Sequence, residues 1–259
     1  MKKLFALILA VLMIASCFTG CGSDSDSDLA TIQKDGKLVV GITDYEPMDY
    51  KDANGEWTGF DAEFARLFAE ELGVACEFFV LPNWDNKFME LETKNIDCIW
   101  NGMTITEEAQ LNSSVSDPYV INAQVVVMKA DAVANYPDAA SMAGLTIAVE
   151  NGSAGQSAAN EIEGATVVPL QNQPSALMEV AAGTADACVI DITMAYAMTG
   201  DGTSYADLVI GATLTSEEYG VSFRKDSDLT AKFNEFMAEL MADGTLDALA
   251  EKYELTLAK

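Results

Sequence analysis

Short apolar runs alternate along this chain with longer stretches whose apolar residues recur at helical spacing. No other feature narrows the fold as much. Strands that are apolar along their whole length need cover on both faces, and the helices between them supply it, so the pattern predicts an α/β protein with largely parallel sheets. Strands are predicted at Leu38–Ile42, Cys76–Leu81, Cys98–Met103, Val125–Met128, Leu145–Val149, Thr166–Leu170, Ala187–Ile190, Leu208–Ala212 and Tyr219–Phe223. The clearest helix carries Phe60, Phe64, Leu67, Phe68 and Leu72 on one face, has Asp61 and Glu63 in its first turn and stops at Gly73. A later one carries Leu229, Phe233, Phe236, Met237 and Leu240 and closes at Asp243-Gly244. The run LVVGITD near the start is echoed by LTIAVENG from Leu145, each an apolar strand followed by a turn and a helix. Two similar lobes joined by short strand crossovers account for the echo without a linker.

The N-terminus has a different character. Lys2 and Lys3 precede an unbroken apolar run, Leu4 to Ile14, which is too short to span a bilayer as a stable helix and reads as a signal peptide. Cys21 and Cys17 each follow small residues in the manner of a bacterial lipobox. Cys21 is favoured as the lipidation site because the Gly/Ser/Asp stretch 22–28 begins directly after it, and such a stretch has no side chains to bury and stays a solvated tether. The expected location is the extracellular side of the cell membrane, lipid-anchored.

Composition removes several functions. With 41 acidic residues against 14 basic ones the formal charge is −27, which repels phosphate backbones and argues against nucleic acid as a partner. The chain has no histidine. That takes away the commonest general base and zinc ligand, so no metal site, cofactor or enzymatic activity is expected. Cys76, Cys98 and Cys188 are odd in number, widely spaced and set in apolar runs, so they read as buried free thiols.

Several blocks, in order, then become familiar: GKLVVGITDYEPMDY, GEWTGFDAEFARLFAEELGV, KNIDCIWNGMTITEEAQ, GLTIAVENGSAG and AAGTADACVIDITMAYA. Together they resemble the polar-amino-acid class of bacterial extracellular solute-binding proteins that serve ABC importers. The resemblance implies a two-lobed periplasmic-binding-protein-like fold, with two mixed, mostly parallel sheets joined by two crossover strands and the ligand in the interlobe cleft. It implies lobe one at 29–120 plus 214–259 and lobe two at 121–213, hinging shut on a small-molecule ligand for ABC permease subunits to read, in a monomer.

Residue by residue, it implies that Tyr45 and Trp84 sandwich the ligand side chain. Gly102 offers a carbonyl to the α-ammonium and Thr104 a hydroxyl beside it; Ser153 and Ala154 donate backbone N–H groups to the carboxylate; Asp191 pairs with the ammonium. Asp191 also closes an apolar strand, where α/β folds gather ligands. Trp100 reads equally as core or as site, and Asp186 as structural. One departure stands out. The arginine that clamps the carboxylate in the family's pattern is replaced by Ala109, and the only arginines are Arg66 and Arg224. Two ligand classes therefore stay open: an amino acid whose carboxylate rests on the backbone after Gly152, or a cationic amine without a carboxylate, drawn by Asp44, Glu46 and Asp191 and by the aromatic faces. A ligand-sensing receptor module and a carboxylate-based lyase are further alternatives.

Overall fold

The computed structural model describes residues 27–259. The expected signal peptide, the lipidation candidates Cys17 and Cys21, and residues 22–26 of the expected tether lie outside the described residues. Ser27 and Asp28 belong to the folded body instead of the tether. Ser27 caps α1 (Asp28–Asp35), its hydroxyl accepting from Ala30 N at 3.0 Å. Asp28 accepts from Arg224 Nε with both oxygens, at 2.9 and 3.0 Å, while the rest of that guanidinium reaches Asp97 and the Ile96 carbonyl. Arg224 thus ties the first helix to the sheet; it is a structural arginine.

The chain continues through β1 (Lys37–Ile42), a hairpin of β2 (Tyr50–Lys51) and β3 (Trp57–Thr58), α2 (Phe60–Glu71) and β4 (Ala75–Val80). A 3₁₀ turn, Trp84–Asn86, leads into α3 (Lys87–Glu92), followed by β5 (Cys98–Ile99), α4 (Glu107–Asn112) and β6 (Ser114–Val115). β7 (Val120–Asn122) crosses to the second lobe, built from β8 (Gln124–Lys129), β9 (Thr146–Glu150), α5 (Ala154–Asn160), β10 (Thr166–Leu170), α6 (Gln173–Ala182), β11 (Ala187–Asp191), α7 (Ile192–Met198) and β12 (Leu208–Thr213). β13 (Glu217–Tyr219) returns antiparallel to β7, pairing Glu217 with Asn122 and Tyr219 with Val120. β14 (Ser222–Phe223), α8 (Leu229–Asp243) and α9 (Thr245–Lys252) complete the first lobe.

Each lobe holds a five-stranded mixed sheet. The first runs β4-β1-β5-β14-β6, parallel from β4 to β5 with β14 antiparallel to both neighbours; the second runs β10-β9-β11-β8-β12, parallel from β10 to β11 and antiparallel beyond. The expected fold class is the observed one.

Aromatic packing fixes the first lobe. Phe64 and Phe68, one turn apart on α2, meet Phe233 of α8 at ring-centroid distances of 5.4 and 5.2 Å. Trp100 lies edge-on to Phe64 and Phe233, each at 4.9 Å, and is fully buried, so of its two readings core is the right one. The strand expected over Cys98–Met103 stops at Ile99, because the chain turns at Asn101-Gly102. Asn101 accepts from Thr43 N at 3.0 Å, and Gly102 has φ +54°. Cys98 and Cys188 are buried free thiols as expected, whereas Cys76 is only half-buried.

Candidate functional site

All seven residues singled out from the sequence line one cleft of about 460 Å³: Tyr45, Trp84, Gly102 and Thr104 from the first lobe, Ser153, Ala154 and Asp191 from the second. Their surroundings define what each can do. Gly102 is glycine of necessity, since a Cβ there would stand 2.5 Å from Tyr45 Cε1 and 3.1 Å from the Tyr219 ring. Its N–H donates to Asp61 Oδ2 at 2.6 Å, and Tyr119 OH donates to the same oxygen at 2.9 Å. Burial pushes the Asp61 carboxyl up to about 7.

Tyr45 is almost wholly enclosed. Its hydroxyl hydrogen-bonds Thr193 at 2.6 Å, across the cleft, and Tyr219. Its ring wall faces the cleft, but its polar tip is already committed. Trp84 opens the 3₁₀ turn and is 7 % exposed. Thr104 donates its hydroxyl to Glu217 Oε1 at 2.9 Å. Ser153 caps α5: its Oγ accepts from Gln156 N at 3.0 Å and donates to the Glu150 carbonyl at 2.8 Å. The Ser153 N–H, expected to donate to a ligand carboxylate, turns to the Glu150 carbonyl at 3.4 Å, so of the two expected donors it is the Ala154 N–H, in a first helical turn without an intrahelical carbonyl, that is left for a ligand.

Asp191 is the most heavily supported group. Oδ1 accepts from Asn122 Nδ2, from Gln124 Nε2 at 2.8 Å and from Tyr219 OH at 2.8 Å, while Oδ2 accepts from Gln173 Nε2. It is 5 % exposed, and no ion pair of the described residues includes it. Burial, then the nearby Glu217 carboxylate, lifts its pKa to about 7 against the pull of those donors. Its oxygens make room for one more partner, on Oδ2, and the electrostatic balance asks for a cation.

Among the lining residues that sequence reasoning passed over, Lys87, Glu150 and Gln173 bring charge or buried polarity to the cleft. Glu150 is buried with Oε1 unpartnered, and burial, with Asp191 nearby, pushes it up to about 8. Only its place at the end of the LTIAVE strand hinted at a site. The acidic lining consists of Glu107, Glu108, Glu150 and Asp191; Asp44 and Glu46, expected to supply negative charge, do not line the cleft. Asp44 points to solvent from the turn before Tyr45, and Glu46 faces a separate groove behind the crossover strands. Ala109 lines the cleft from the first turn of α4, where Thr106 caps the helix by accepting from Ala109 N at 3.1 Å. Arg66 is remote from it, donating to the Trp57 carbonyl.

Residues 38–256 match the model of the bacterial extracellular solute-binding proteins, family 3. The L-cystine-binding protein of Escherichia coli K12 is 29 % identical over 250 residues, covering 95 % of this chain and 92 % of its own. The L-arginine-binding protein of Pseudomonas aeruginosa is 32 % identical over 238 residues, covering 87 % of this chain and 90 % of its own. Among solved structures, a variant of ArgBP from T. maritima superposes with a TM-score of 0.81 at 36 % identity, over 87 % of this chain and 98 % of that one. No helix among the described residues is long and apolar enough to cross a membrane.

Proposed function

The chain belongs to family 3 of the bacterial extracellular solute-binding proteins, and we propose on that footing that it captures an amino acid outside the cell and presents it to the permease of an ABC importer. Asp191 carries this reading. A carboxylate buried between the lobes, braced by four donors and lacking any cation of its own, is a seat for a ligand ammonium. Tyr45 and Trp84 then flank the side chain, and closure shuts water out of a site completed only when both lobes meet. The relatives that bind arginine or cystine support an amino acid as the ligand. The lobes divide at about residues 121 and 214, where the crossover strands run, and the protein acts as a monomeric binder without catalysis.

A carboxylate-free amine is the second reading. Four acidic residues line the cleft against one lysine, and Ala109 stands where the family pattern has a carboxylate-clamping arginine. A thermal-shift panel of amino acids, the amines made by removing their carboxylates, and polyamines separates the two. Stabilisation by an amino acid and not by its amine supports the first; the reverse supports the second; no response to any of them refutes both. Anchoring through Cys21 is tested separately by mass spectrometry of the mature N-terminus. A lipidated Cys21 is expected, and an unmodified N-terminus or one at Cys17 refutes it.

A further inference from the structure

Among the described residues a single cation lines the cleft, Lys87, and no carboxylate stands within ion-pair distance of it. Lys87 opens α3 and is 7 % exposed, its Nζ held 4.9 Å from the ring centroids of both Trp84 and Phe88. Its one hydrogen bond, 3.1 Å long, goes to the Gly152 carbonyl in the opposite lobe. An ammonium has three N–H groups, so two remain. No ion pair of the described residues includes it. Burial pulls its pKa below the ordinary lysine range, opposed by the more distant Glu108, Glu150 and Asp85 carboxylates. Aromatic faces offer a cation partial charge only. A charge kept this dry is costly until an anion joins it.

The place where it reaches across is one of direct lobe-to-lobe contact. Gly152 has φ +73°, and a Cβ there would stand 2.7 Å from Asp85 Cα. The Lys87 nitrogen can meet the Gly152 carbonyl only with the lobes together. The buried carboxylates Asp191 and Glu150, neither of them in an ion pair of the described residues, line the same cleft. The cleft therefore offers one positive and several negative groups, the complement of a molecule carrying both signs.

We propose that Lys87 is the anion-binding residue of the cleft, holding the carboxylate of the amino acid while it donates to the Gly152 carbonyl, so that ligand charge and lobe closure are sensed at one nitrogen. This rests on the amino-acid reading above and adds the residue that holds the acid group. The mature protein and Lys87→Met are titrated calorimetrically with L-arginine and with agmatine, which differ by the carboxylate, and with any other amino acid and amine pair that stabilises the wild type. The variant should lose roughly tenfold or more in affinity for the amino acid, about 1.4 kcal/mol per decade, and hold its affinity for the amine. Lys87→Arg, which keeps the charge, should retain most of the amino-acid affinity. Lys87→Gln makes the same comparison if the methionine variant does not fold. Amino-acid binding untouched by Lys87→Met, or a loss equal for amino acid and amine, overturns the assignment and leaves the amino-acid reading standing. A wild type that binds amines and no amino acid overturns both.

Discussion

Asp191 is held by donors contributed from far along the chain: Asn122, Gln124, Gln173 and Tyr219 all turn toward it. Asparagine at this position keeps a single carbonyl oxygen and sets an NH₂ group against other NH₂ groups. Asp191→Asn should cost an ammonium ligand about 1.5–3 kcal/mol of affinity, the usual worth of a hydrogen bond to a charged group. It should also lower the unliganded melting temperature, because two like donors are forced together in a buried place. Calorimetry with unchanged affinity, beside a lowered melting temperature, would confine Asp191 to a structural role. The importance of this residue is visible in the sequence as the polar end of an apolar strand. Its neighbours are not, because they come from the two crossover strands, the first residue of β8 and a helix, all apart from it in sequence. Lys87 is harder still: a lysine at a helix start reads as solvated, and only the closure of the Gly152 loop over it makes it buried.

The loop joining β9 to α5 is the element on which both lobes depend. Ser153 Oγ ties the helix start to the strand end, accepting from Gln156 N and donating to the Glu150 carbonyl. Ser153→Ala removes both bonds and should cost about 1 kcal/mol of stability by urea unfolding, the normal cost of a lost cap. Gly152→Ala acts on closure. An alanine at positive φ is disfavoured by roughly 1–2 kcal/mol, and its methyl would press on Asp85 across the cleft. Ligand affinity should fall, and small-angle scattering should show the liganded variant staying extended; full compaction with ligand would refute a closing contact at Gly152. Elements with a strong internal period, such as α2 and α8, are legible in sequence to within a residue or two. β5, β6 and β14 have only two residues each, and such strands are defined by neighbours rather than by their own composition. The Asn101-Gly102 turn that cuts β5 short is announced locally by the Asn-Gly pair, a strong turn signal that the apolar run around it masks; its support from Thr43, in another segment, is not legible.

At the scale of the whole molecule, the two crossover strands carry the floor of the cleft. Glu217 on β13 accepts from Asn122 on β7 and from Gln124, both at 2.7 Å, and those amides also hold Asp191, so hinge and ligand seat share one hydrogen-bond network. Four buried carboxyls around this interior are raised in the folded, unliganded protein: Asp61 and Asp191 to about 7, Glu150 to about 8 and Asp49, beside Asp61, well above the ordinary range, from usual values of 3.8 and 4.5. A raised folded pKa means that the native state holds protons which the unfolded chain has already lost. The contribution of each group is therefore complete below the ordinary carboxylate range and lost as pH rises through its folded value, about 7 to 8 for Asp61, Asp191 and Glu150. Surface carboxylates with lowered values, such as Asp52 and Glu63, act in the opposite sense, but only at more acidic pH. The unliganded melting temperature should accordingly fall between about pH 5.5 and 8.5. A ligand ammonium seated on Asp191 favours its ionised form, so at mildly acidic pH binding should release protons and flatten the profile. Calorimetry in two buffers of different ionisation enthalpy measures that release. An unliganded melting temperature that rises over this interval, or binding heats that do not depend on the buffer near pH 6, would mean that these carboxyls are already ionised in the empty cleft.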